Sequence, residues 1–143
     1  MANGPTENLP TIKVAAAIIN DTEGRTLLVR KRGSDFFMQA GGKMEAGENP
    51  LSALSRELRE ELGMELDEAA TKYVGRYTAP AANEEGYLVE AEMYLTQIDQ
   101  EVFPAAEIEE IAWFNIGRPI DLPLAPLTRD NALPIAHNNT SYH

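Results

Sequence analysis

The chain has 143 residues, 43% of them hydrophobic and 24% charged, no cysteine, and a formal net charge of −11 at pH 7. That length suits one domain with a real core. The missing cysteine excludes disulfides and thiolate metal sites and fits a reducing cytoplasm, where we expect the protein to reside. The acidic balance argues against a broad nucleic-acid surface, which needs clustered Lys and Arg, though not against a nucleotide, since a metal bridges two negative partners.

Residues 1–10 are polar, with a glycine and two prolines, and read as a flexible lead-in rather than a signal peptide. No run approaches the roughly 18 apolar residues of a membrane span. Thr11 to Ile19 is rich in Val, Ile and Ala and reads as a buried strand. Asn20-Asp21-Thr22-Glu23-Gly24 is a turn, and Thr26 to Arg32 is its hairpin partner, with Leu27 and Val29 on one face and Leu28, Arg30 and Arg32 on the other. Phe36 to Ala40 is a short extended segment leading into Gly41-Gly42, where backbone can approach a metal or phosphate closely.

Gly42 to Met64 carries the chemistry. Asn49 fits a helix N-cap, Pro50 the first helical position and Gly63 the stop. Between them, at about 100° per residue, Leu51, Leu54, Leu58 and Leu62 share an arc that faces the core. Glu57, Glu60 and Glu61 fall together in a neighbouring arc. Like charges repel there, so helix stability alone does not select them, and a bound cation removes the conflict. Oxygen ligands suit Mg²⁺, with Mn²⁺ as the alternative, the substrate phosphates completing the shell. Arg56 precedes Glu60 by four residues and can hold it in position.

After this helix, Leu66 to Ala70 is a connector. Lys72 to Ala79 and Tyr87 to Thr96 read as strands, the second alternating cleanly. Ile108 to Ile116 carries another strand, with Ile111 and Trp113 on one face. Leu122 to Ala136 holds a short helix bounded by Pro126 and Pro134, its apolar set being Leu124, Leu127 and Ala132 or Leu133. Residues 137–143 form a polar tail. Its glycosylation patterns, Asn138-Asn139-Thr140 and Asn139-Thr140-Ser141, are discounted without a secretory signal, and His137 and His143 receive no role. Strands on both sides of one central helix, with a second helix at the end, give an α/β sandwich in a single domain over residues 11–136.

The stretch Gly42 to Met64 reads Gly, five residues, Glu, seven residues, Arg-Glu, apolar, any, Glu-Glu, any, Gly, apolar. Seven fixed residues at about 6% each give a chance near one in 10⁸ to 10⁹ per window, against only about a hundred windows. This is the Nudix box without a gap, and the chain resembles the Nudix hydrolase superfamily, in its MutT-like branch. The resemblance implies an α/β/α fold, a mixed sheet between helices with the box as a loop–helix–loop. It also implies metal-dependent hydrolysis of a nucleoside diphosphate linked to another group. On the matching positions it implies that Glu57, Glu60 and Glu61 bind metal, with a carbonyl beside Gly41 or Gly42 as a further ligand, and that Glu48 and Arg56 brace the helix. Glu107 falls where MutT-like members place another acid, as general base and metal ligand, ahead of Glu84, Glu85 and Glu57 for the base. Arg30 and Arg32, with Lys31 between them, Lys43 and the Gly41 backbone are expected at the substrate phosphates. Phe36, Phe37 and Tyr87 either pack in the core or stack on a base.

The expected substrate is a (d)NTP or modified (d)NTP, cleaved to monophosphate and pyrophosphate. ADP-ribose or another nucleoside diphosphate derivative is the alternative, for which Pro80 is the only hint. A non-catalytic nucleotide-binding module is the distant one. Pro126 occupies the position of the purine-sensing Asn, which speaks against guanine-specific sanitation unless Asn131 takes its place. The expected state is monomer or homodimer, with no nucleic-acid or membrane partner.

Overall fold

The computed structural model describes residues 9–139. The lead-in expected over 1–10 lies outside that range except for its last two residues. So does the tail beyond residue 139, which carries His143 and the Thr140 and Ser141 positions of the glycosylation patterns. Strand β1, Thr11–Asn20, runs through the middle of a seven-stranded mixed sheet of order β3-β2-β1-β6-β5, with β4 also paired to β1 and β7 to β2. The other strands are β2 (Arg25–Lys31), β3 (Phe37–Met38), β4 (Ala40–Lys43), β5 (Lys72–Pro80), β6 (Leu88–Gln97) and β7 (Ile108–Asn115). The helices are α1 (Pro50–Leu62) and α2 (Leu133–Asn138), the latter continuing a π turn over Thr128–Ala132.

Burial of β1 on both faces explains its continuous apolar run. Ala15, Ala17 and Ile19 face α1, packing with Leu54, Leu58, Leu62 and Tyr94, while Ala16 and Ile18 face the second helical segment with Met93, Leu127, Ala132 and Ala136. The layering is therefore α/β/α, as expected. The pairing differs from the hairpin reading. β2 meets β1 at Asn20 and Thr26, but its long ladder is with β7, from Arg25–Asn115 to Lys31–Ile108. β1 instead pairs in parallel with β6 along its whole length and antiparallel with β4.

α1 begins and ends where its sequence directs. The Asn49 side chain accepts the Ser52 N–H at 2.8 Å, Pro50 occupies the first turn, and Gly63 adopts the left-handed conformation that lets its N–H reach Arg59. Pro134 does not bound the last helix, as its missing N–H suggests; it sits inside it. The Leu133 N–H reaches back five residues to the Thr128 carbonyl, and this widened turn accommodates the proline. The helix then runs to Asn138, so the tail begins later than expected.

Candidate active site

The site forms where α1 lies against β4. Gly41 has φ +145°, and a Cβ there would stand 2.1 Å from the Ala15 carbonyl oxygen, so β4 passes too close to β1 for any side chain. That approach brings the Gly41 N–H within 3.2 Å of Glu61 Oε1. At Gly42 a Cβ would stand 2.5 Å from the Glu57 carboxyl carbon, so the missing side chain is the space Glu57 fills.

The three acids of one helical arc therefore sit at three depths. Glu61 is 2% exposed, and its second oxygen has no hydrogen-bond partner among the described residues. Burial pushes its carboxyl up to about 7; the Gly41 N–H and the Lys31 charge oppose that rise, while Glu57 and Glu107 add to it. Glu57 is mostly buried and Glu60 is 56% exposed. Ala53, fully buried on the acid flank, lets the helix settle this deeply.

Arg56 ties the loop before the helix to the helix itself. Its Nε and Nη2 each donate to Glu48 at 2.9 Å, Nη1 donates to Glu57 Oε2 at 2.9 Å, and Nη2 reaches the Lys43 carbonyl at 3.3 Å. Glu60, the partner expected from the spacing, stands farther away at 3.7 Å. The bidentate guanidinium holds the Glu48 carboxyl down to about 2, helped by the Glu45 N–H.

A cleft of roughly 450 Å³ opens beside these groups. Lys31, Arg32 and Lys43 supply positive charge to its lining; Glu57, Glu84 and Glu107 supply negative charge. Glu107 is exposed, 3.9 Å from Lys31, and its carbonyl accepts the Arg32 N–H. Arg32 also donates to Glu109 and to the Ala106 carbonyl. Arg30, expected at the substrate, does not line the cleft; it donates to Glu110 Oε1 and the Ser34 carbonyl. The ladder register shifts between Arg30 and Lys31, so simple alternation misplaces Arg30, and Lys31 lines the cleft beside Arg32. Glu85 lies off the cleft, and so do the aromatic candidates: Phe37 packs edge-to-face on Phe114, Phe36 is partly buried and Tyr87 is exposed. Asn131, in the π turn, lines neither the cleft nor the pocket beside it. Ser34 and Asn83, hydrogen-bonded at 2.7 Å, complete the lining and carried no signal in the sequence.

The donors suit a hard divalent cation in kind: carboxylate oxygens, one buried and unpaired, another cradled against a glycine. They are not gathered in advance, since among the described residues no three His, Cys, Asp or Glu side chains stand together as an ion cage.

The NUDIX domain model matches residues 10–134. The CTP pyrophosphohydrolase of Escherichia coli K12 is 34% identical over 120 residues, 80% of this chain and 84% of that relative. The 8-oxo-dGTP diphosphatase of Haemophilus influenzae is 46% identical over 57 residues, 37% of this chain and 42% of that relative. Among solved structures, the E. coli ORF135 protein superimposes with a TM-score of 0.64 at 29% identity, covering 93% of this chain and 91% of its own. Among the described residues no helix is long and apolar enough to cross a membrane.

Proposed function

Since the chain belongs to the Nudix family and is a hydrolase of phosphorus-containing anhydrides, we propose that it cleaves a nucleoside triphosphate to the monophosphate and pyrophosphate. One observation carries this reading: Glu61 is buried with its Oε2 unpartnered among the described residues, on the same helical arc as Glu57, which lines a cleft together with Lys31, Arg32 and Lys43. Similarity to a CTP pyrophosphohydrolase over most of both chains supports a triphosphate rather than ADP-ribose. The catalytic unit is assigned to residues 11–136.

Glu57, Glu60 and Glu61, with the backbone at Gly42, would hold Mg²⁺ or Mn²⁺. The bound ion would neutralise phosphate charge and make a water acidic enough to attack. Lys31, Arg32 and Lys43 bind the phosphate oxygens and draw the triphosphate into the cleft. Glu107 takes the proton from the attacking water. The new P–O bond forms as the α–β anhydride bond breaks, and pyrophosphate carries away the electron pair. Arg56 and Glu48 touch neither water nor phosphate; they fix the Glu57 carboxylate and the loop backbone, so their effect passes through position.

The test is a panel of the four NTPs and dNTPs, 8-oxo-dGTP and ADP-ribose with Mg²⁺, scored by kcat/KM. The reading expects a triphosphate to lead and pyrophosphate to appear with the monophosphate. A tenfold lead for ADP-ribose, or no turnover of any triphosphate, overturns it.

A further inference from the structure

A second cavity of roughly 160 Å³ adjoins the cleft and shares Lys31, Gly42, Lys43, Asn83 and Glu84 with it. Its remaining lining is largely apolar, including Val14 of β1, Val89 of β6 and Leu127 ahead of the π turn. Gln39, between β3 and β4, breaks that pattern and is 7% exposed. Its Oε1 accepts the Thr128 hydroxyl at 2.6 Å, while its Nε2 has no partner among the described residues. A separation of 2.6 Å is an O–H···O length and short for N–H···O, which sets the amide with Oε1 on Thr128 and Nε2 turned away from it. A buried N–H without an acceptor is unfavourable, and the cavity that Gln39 lines is where an acceptor can arrive.

We propose that this cavity takes the nucleobase and that Gln39 Nε2 reads it, donating to acceptors on the base edge, with Thr128 as the positioning residue that fixes the amide. The inference deepens the pyrophosphatase reading and rests on it for placing the phosphates in the adjoining cleft. The amide nitrogen carries two hydrogens and no acceptor. It therefore suits a base edge with two neighbouring acceptors, which cytosine has at N3 and O2 and guanine at O6 and N7; the likeness to a CTP pyrophosphohydrolase selects cytosine. Uracil sets an N–H donor at N3 against it, and adenine sets an amino group beside N1. A site built around such a hydrogen bond rejects an analogue that lacks the acceptor far more strongly than an apolar pocket does.

The experiment is calorimetric binding, with Mg²⁺, of the non-hydrolysable α,β-methylene analogue of CTP and of its 3-deazacytosine counterpart, in which a C–H replaces N3. Wild type is expected to bind the cytosine form at least tenfold more tightly. Gln39→Leu should narrow that ratio below threefold, and Gln39→Met makes the same comparison if leucine packs badly. Thr128→Val should narrow the ratio too, and adding Gln39→Leu to it should narrow it no further. A Gln39 variant that keeps the wild-type ratio, equal binding of both analogues by wild type, or binding of neither overturns the inference. Selective binding of the cytosine analogue without pyrophosphate release from CTP supports the base reading and overturns the pyrophosphatase reading alone.

Discussion

Replacing Glu61 by Gln should stabilise the metal-free protein at alkaline pH while abolishing its chemistry. Folded Glu61 holds its proton more tightly than the unfolded chain does, with a carboxyl raised from 4.5 to about 7 by burial. Its contribution is therefore undiminished below pH 4.5, falls as pH rises towards 7, and stays low above that. Keeping the carboxylate ionised at pH 8 costs the fold about 3 kcal/mol. The glutamine Oε1 can still accept the Gly41 N–H that Glu61 now accepts, but the new amide N–H groups are buried without acceptors, at a cost of about 1–2 kcal/mol. The variant should be ahead by about 1–2 kcal/mol at pH 8 and level or slightly behind at pH 5. Urea unfolding of both proteins in EDTA at the two pH values measures this. Saturating Mg²⁺ should then stabilise wild type more than the variant. A difference between the proteins that does not change with pH, or wild-type stability gaining on the variant as pH rises, would refute the buried-carboxylate argument.

Arg56→Lys keeps the charge but loses the two-pronged grip on Glu48, and kcat should fall ten- to a hundredfold with little change in KM; steady-state kinetics check the split. Gly42→Ala and Gly41→Ala should part company. At Gly42 the atoms nearest the new methyl belong to the Glu57 side chain, so the fold survives while kcat drops about a hundredfold. At Gly41 it meets backbone, so stability falls by about 3 kcal/mol; unfolding curves beside kinetics separate the two. Ala106 has φ +54° on the approach to Glu107, and Ala106→Gly should gain about 0.5–1 kcal/mol in urea unfolding.

What the sequence made legible was local. Asn49, Pro50 and Gly63 bound α1 because a cap, a first-turn proline and a left-handed stop act within a few residues. The wheel put Glu57, Glu60 and Glu61 in one arc but could not give their depths, because the sheet covers only one flank of the helix and takes Glu61 under it. Long-range pairing was illegible for the same reason. Nothing in β2 says that its ladder partner is β7 rather than β1, and the shift at Arg30/Lys31 is a property of that pairing. Gln39 and Thr128 lie 89 residues apart and meet because the segment just ahead of the π turn pairs with β3 at Phe37. Pro134 misled because a proline is read as a helix breaker unless the turn before it is already widened.

The metal-hydrolase reading meets its sharpest test in a single-turnover assay of CTP with Mg²⁺, run on wild type and Glu57→Gln and followed by pyrophosphate release. Wild type should release one pyrophosphate per CMP, and the variant should be slower by about three orders of magnitude, an effect of the size expected when a group acting directly on the reacting charge is lost. Equal rates in the two proteins, or no release by wild type, would contradict it.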